Sequence, residues 1–244
     1  MNLNDGLKKL NLRTILATYQ QHALVAEKSK KTYESYLHDL VTEETEQRRL
    51  NRIARLKKES KIPVQKTAEN YDFSSIEGIS AQEFKGLCGG DFLREACNIV
   101  IYGGHGLGKT HLAIALVDKL CEKGHRCLYT TSHELIEQML EAKKELRVSE
   151  LWRKYDRYDL IICDELGYIP QCQAGADLFF QFVSKRYERK SLLITTNLAY
   201  SDWGKVFLNE TTTAAVVDRI IHRCKTYSLS GESHRVREAK KRST

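Results

Sequence analysis

Apolar positions recur at intervals of three and four through the first quarter of the chain: Leu7, Leu10, Ile15, Leu16 and Tyr19, then Tyr33, Tyr36, Leu37 and Leu40, then Leu50, Ile53 and Leu56. That spacing lines one face of an α-helix, and between Gly6 and Pro63 no Gly or Pro interrupts it. The pattern predicts a small helical N-terminal module. Residues 43–49 are polar on every side, so the second helix is expected to protrude or break there. The apolar stripes at 7–19 and 33–40 need cover; packing on each other is the plain expectation, and docking of a partner is the alternative.

Residues 61–80, KIPVQKTAENYDFSSIEGIS, lose the periodicity and gain Pro, Gly and small polar side chains, which reads as a linker or extended entry. This divides the chain into a module at 1–66 and a larger domain at 67–244. In the latter, short β-branched apolar runs stand at 98–102, 126–131, 159–164, 191–195 and 225–230. Helical stretches such as 111–123 and 177–189 separate them. Alternating strand and helix predict an α/β domain with a parallel five-stranded sheet covered on both faces.

A chain of 244 residues can bury a core without disulfide or metal staples. No apolar run reaches the roughly 18 residues of a membrane span, and the start MNLNDGLKKLNL lacks the apolar segment of a secretory signal; a cytoplasmic protein is expected. The seven cysteines are odd in number and form no C-x-x-C pair, so they are expected as free thiols and no metal site is assigned to them. The net charge of +7 is unevenly spread: residues 1–66 carry 14 Lys and Arg against 8 Asp and Glu, residues 219–244 carry 8 against 2, and the middle carries 17 against 22. Basic ends fit contact with a polyanion, most often nucleic acid, and a solvated charged face is the other explanation.

The chemistry concentrates between Gly103 and Asp164. NIVIYGGHGLGKT contains GxxxxGK[ST], with Gly103, Gly104, His105, Gly106, Leu107, Gly108, Lys109, Thr110 and His111 following an apolar strand and opening a helix. A glycine-rich turn lets successive backbone N–H groups face phosphate oxygens, the helix N-terminus adds partial positive charge, Lys109 reaches the outer phosphates and Thr110 offers a hydroxyl to Mg²⁺. ATP and Mg²⁺ are the expected cofactors. Within YDLIICDEL, Asp164 and Glu165 close a buried strand 55 residues after Lys109. Asp164 is expected to hold the metal through its water shell, and Glu165 to accept a proton from the attacking water. SLLITTN ends in Thr196 and Asn197, which would lie between these two sites; Asn197 is assigned to orienting the water or sensing the γ-phosphate, with a turn-forming Asn as the alternative.

GGHGLGKTHLA, IICDELGYIP, ITTNLAYSDWGKVF, AAVVDRIIHRC and SGESHR together resemble the IstB-like ATPases, helpers encoded beside the transposase in one class of bacterial insertion sequence. The resemblance runs over about residues 70–237, with a similar helical module in front, and implies an AAA+ fold related to DnaA and DnaC. It further implies ATP-dependent self-assembly into a homo-oligomer on double-stranded DNA and stimulation of a partner transposase. Gly104 and His105 depart from the family's frequent Pro and Ser, at positions the loop leaves free. Only 14 residues follow the last predicted strand, so no full AAA+ lid is expected and Arg235 is only a substitute for a lid-borne sensor arginine. In the resembling families an inter-subunit arginine lies just before the last strand, which points here to Arg219, with Arg223 as alternate; pairing of Arg219 with an acidic neighbour in its own subunit is the competing role. A DnaC-like replicative helicase loader is the alternative function. A small-molecule P-loop kinase and an ATP-holding module without turnover are weaker alternatives, the first for its lack of a mobile lid, the second because Glu165 is intact.

Overall fold

The structure, a computed structural model, describes residues 2–64, 66–167, 172–207 and 210–234. The chain divides into two compact units, Met1–Arg55 and Leu56–Thr244.

The first unit contains α1 (Leu3–Lys9), α2 (Arg13–Lys28) and most of α3 (Tyr33–Glu59). Leu7, Ile15 and Leu40 are buried together, with Leu12, Leu16, Tyr19 and Tyr36 packed around them. The two apolar stripes thus cover each other in part, while Leu10, Tyr33 and Leu37 stay exposed. Of the two outcomes expected at 43–49, protrusion or a break, the break does not occur: α3 is continuous. Its polar side chains are used instead to hold α2. Glu44, only 5% exposed, accepts the backbone N–H groups of Thr14 and Ile15 at 2.8 and 3.1 Å, and these belong to the orphan donors at the start of α2. Arg48 completes the cap through Glu44 Oε1 and the Asn11 carbonyl, both at 2.6 Å. Burial raises the Glu44 pKa, yet Arg48 and the two N–H groups outweigh it and hold the carboxyl below its ordinary 4.5. A depressed folded pKa means that this stabilisation is complete above pH 4.5 and fades as the pH falls through the folded value. Glu44→Ala is expected to cost the first unit about 2–3 kcal/mol; hydrogen exchange at Thr14 and Ile15 in the intact chain should speed up accordingly.

In the second unit a six-stranded sheet runs β1-β6-β2-β5-β4-β3. Its strands are β1 (Ile76–Glu77), β2 (Asn98–Gly103), β3 (Cys127–Thr131), β4 (Leu160–Leu166), β5 (Ser191–Thr196) and β6 (Cys224–Gly231). β2 to β6 are the five expected strands and are mutually parallel. The additional β1, of two residues, pairs antiparallel with β6 and is too short to show alternation in the sequence. The remaining helices are α4 (Ala81–Leu87), α5 (Asp91–Arg94), α6 (Lys109–Glu122), α7 (Ser132–Lys144), α8 (Val148–Asp156), α9 (Gln173–Arg186), α10 (Gly204–Phe207) and α11 (Glu210–Ile221).

Successive strand residues feed opposite faces. Ile99, Ile101, Ile162 and Leu193 join α6 in one core layer, whereas Val100, Ile161, Cys163, Leu192 and Ile194 join α7 and α9 in the other. Every residue of α6 from Leu112 to Asp118 is buried, so that helix needs cover on its outer side too. Ile62, Ala68, Tyr71 and Phe73 supply part of it; the aperiodic stretch at 61–80 is a wall of the domain and not a free linker.

Candidate functional site

β2 delivers the phosphate loop. Gly103 sits at φ +151° and a Cβ there would lie 2.4 Å from the β6 carbonyl of Leu229; Gly108, the N-cap of α6, has φ +79°, and a Cβ there would lie 2.5 Å from the Tyr71 ring. Both positions combine a left-handed backbone with no room for a side chain. Lys109 Nζ donates to the carbonyls of Gly103 and Gly104, each at 2.7 Å, so the amine bridges the beginning of the loop. Tyr71 clamps the outside through its hydroxyl to Leu107 O at 3.0 Å. His111 Nε2 donates to Thr67 O at 2.8 Å and meets the Tyr71 ring edge-on. Burial lowers the His111 pKa, which favours the neutral ring.

Asp164 and Glu165 are neighbours on β4, and regular alternation would send them to opposite faces. A bulge prevents this. Cys163 pairs with Ile194 and Leu166 with Thr196, so Asp164 and Glu165 together oppose the single residue Thr195. Glu165 takes φ +61°, a conformation that costs a non-glycine residue about 1–3 kcal/mol and is kept where the surroundings over-determine it. Its N–H donates to Thr195 Oγ1 at 2.9 Å and its carbonyl accepts from Ser132 Oγ at 3.0 Å. Asp164 stays buried, 1% exposed, while Glu165 is exposed.

Three hydroxyls converge on Asp164: Thr110 Oγ1 on Oδ1 at 3.2 Å, Thr195 Oγ1 on the same oxygen, and Tyr129 on Oδ2 at 2.6 Å. Burial and then the Asp164 carboxylate push the Tyr129 pKa upward, so the phenol stays a donor. One carboxylate and one hydroxyl suit Mg²⁺, which completes its shell with water and phosphate oxygens. Among the described residues no cluster of three or more His, Cys, Asp or Glu could cage an ion, and all seven cysteines are free thiols.

These elements enclose a cavity of about 230 Å³ whose lining includes His105 to His111, Glu165, Thr195, Asn197 and Asn70. β5 lies between β2 and β4, which brings Asn197 beside both motifs. Asn197 is exposed there, whereas Thr196 is taken up by bonds to Leu166 O and Leu198 N. Sequence reasoning missed Tyr71, Tyr129, Ser132 and Thr195. Only Tyr129 and Thr195 carried a usable signal, as polar residues near the C-terminal ends of strands, where ligands collect in open α/β sheets.

Arg219 lies apart from this cluster on α11, its guanidinium 4.8 Å from the Phe180 ring centre and bonded to Ala215 O at 2.8 Å. A ring and a carbonyl, not a carboxylate, hold it among the described residues. The helix ends at Ile221, so Arg223 falls in the turn before β6; it is exposed and approaches Glu188 at 4.0 Å. Arg235 and most of the LGYIP stretch lie outside the described residues.

A parallel sheet with a phosphate loop after one strand, an acidic pair closing another and a polar strand end between them defines a P-loop ATP-binding domain. The profile of the IstB-like ATP binding protein family matches residues 5–242, and the chain belongs to that family. It is 33% identical over 226 residues to a protein named as ATP-binding in insertion sequence IS21 of Pseudomonas aeruginosa, covering 92% of this chain and 85% of the relative. It is also 33% identical to an insertion-sequence protein of Sinorhizobium fredii named in the same way, covering 96% and 78%. Among solved structures the fold is similar to the DnaC helicase loader, with TM-score 0.54, 19% identity and coverage of 61% of this chain and 87% of that one. It is similar also to AMPPCP-bound DnaA from Aquifex aeolicus, with TM-score 0.53, 21% identity and coverage of 66% and 48%.

Proposed function

We propose that this chain is a Mg²⁺-dependent ATPase that assembles with copies of itself on double-stranded DNA and, in its ATP state, assists the transposase of its own insertion sequence. The observation that carries the enzymatic part is the bulge in β4, which turns Glu165 out of the sheet into the cavity shared by Lys109, Thr110 and Asn197. In this reading Lys109 neutralises the outer phosphates, Glu165 takes the proton of the attacking water and Asn197 orients that water. Thr110 and Asp164 would hold Mg²⁺, which when bound offsets charge on the transferred phosphoryl group. The insertion-sequence setting of the family supports the transposase as partner. No helix among the described residues is long and apolar enough to cross a membrane.

The tagged chain, loaded with ATP and DNA, should retain the transposase of its element. Retention of a replicative helicase in its place would favour the loader alternative.

The basic ends support DNA contact, but the structure sorts the individual cations. Lys57, half-buried, is paired with Asp118 at 2.7 Å and Glu122 at 2.9 Å. Arg48 serves the α2 cap, Arg49 pairs with Glu46 and Arg147 with Glu145. Arg52, Arg55, Lys143 and Lys144 are exposed and remain candidates for that contact. Binding is expected to be sequence-neutral and steeply salt-dependent, and each alanine substitution that removes a phosphate-binding cation should reduce the salt slope by about 1. A slope unchanged after replacing all four would remove them from the interface.

A further inference from the structure

The two oxygens of Asp164 are held by different elements. Oδ1 receives the hydroxyls of Thr110 from the phosphate loop and Thr195 from β5; among the described residues Oδ2 receives only Tyr129, from β3. Thr110 is the hydroxyl a bound metal would claim. Thr195 and Tyr129 then remain, one on each oxygen, and a carboxylate pinned at both oxygens cannot rotate about its Cβ–Cγ bond. With Asp164 1% exposed, bulk water cannot take over either role.

Tyr129 suits this task through its placement. It stands opposite Ile162 in the parallel register, while Asp164 stands opposite Thr131. The phenol therefore reaches two residues along the neighbouring strand, a diagonal that a long aromatic side chain can span on one face of a sheet. Its own backbone is fixed separately, since Tyr129 N–H donates to Ser60 O at 2.8 Å. Loss of the hydroxyl would leave the strand in place.

We propose that Tyr129 is a positioning residue for the metal site: its hydroxyl sets the rotation of Asp164 and thereby the Mg²⁺ affinity of the nucleotide pocket, without touching nucleotide or water. This rests on the ATPase reading above. Hydrogen-bond partners behind a metal ligand typically change metal affinity by about 10- to 100-fold, and the phenol is such a partner.

The test uses the full chain with Tyr129→Phe and a fluorescent, non-hydrolysable ATP analogue, its affinity titrated against Mg²⁺ from an EDTA baseline. Affinity in EDTA should match the wild type to within about twofold, and the Mg²⁺ concentration that tightens binding should rise about tenfold or more. Hydrolysis should recover as Mg²⁺ is raised. A folded variant with an unchanged Mg²⁺ midpoint overturns the inference, as does an equal loss of affinity in EDTA and in Mg²⁺. Thermal unfolding reports whether the variant folds; if it does not, Tyr129→Met, which fills the space with a flexible apolar chain, is read in the same titration. A wild-type chain whose nucleotide binding and hydrolysis ignore Mg²⁺ would overturn both this inference and the ATPase reading, whereas a Mg²⁺-dependent wild type matched by its variant overturns this inference alone.

Discussion

Mixing Arg219→Ala subunits with Lys109→Ala subunits is expected to restore ATP hydrolysis that neither protein performs alone. Phosphoryl transfer gains from a cation placed on the γ-phosphate, and an arginine delivered by a neighbour is worth roughly 10³- to 10⁵-fold in rate in other NTPases. Arg219 lies on α11, outside the cavity of its own subunit, so under this proposal it serves the site next door. The Arg219→Ala subunit should bind ATP normally, because its phosphate loop is intact. The Lys109→Ala subunit cannot hold nucleotide but still offers Arg219. Stacking on Phe180 and the bond to Ala215 O would in this case orient the guanidinium instead of consuming it. If the two proteins co-assemble on DNA and no activity returns, the residue acts within its own subunit or Arg223 takes the role; repeating the mixture with Arg223→Ala separates those outcomes.

Glu165→Gln should retain ATP and lose hydrolysis by about 10²- to 10⁴-fold, the usual worth of a general base. The amide keeps the size of the carboxylate but cannot take the proton. Backbone geometry should survive, because Thr195 and Ser132 hold the N–H and carbonyl of residue 165 and not its side chain. Lys109→Ala should fail one step earlier, at binding, since the amine is the cation proposed to neutralise the outer phosphates. The two variants therefore differ in kind: nucleotide retained on a filter with Glu165→Gln, none with Lys109→Ala. Normal nucleotide affinity in Lys109→Ala would remove the phosphate loop from the mechanism, and normal turnover in Glu165→Gln would move the base elsewhere.

Much of this domain is written locally. The β-branched runs at 98–102 and 191–195 carry their strand periodicity in consecutive residues, and the phosphate loop is a contiguous segment whose glycines have a local backbone reason to be there. Those features depend on neighbours in sequence, so they could be read without a fold. Asp164 and Glu165 were legible as an acidic pair after an apolar run for the same reason. Their arrangement was not: alternation alone separates them, and only the bulge opposite Thr195 re-aims Glu165. Polar residues 43–49 misled in the opposite direction, since Glu44 and Arg48 look like solvent-facing charges until α2 supplies the N–H groups and carbonyl they satisfy.

Periodicity and contiguous motifs suffice for the α/β class, for the order of the parallel strands along the chain and for the phosphate-loop motif, because each is encoded by near neighbours. Two features arise only on folding: Lys66, Asn70, Tyr71, Asp72 and Ile76 line the pocket, and Tyr129 and Thr195 hold Asp164 from two different strands. A hydrogen bond between residues 35 or 31 positions apart leaves no periodic trace in a single chain. It comes into being only when the sheet brings its strands within about 5 Å of one another, the spacing that hydrogen-bonded strands impose.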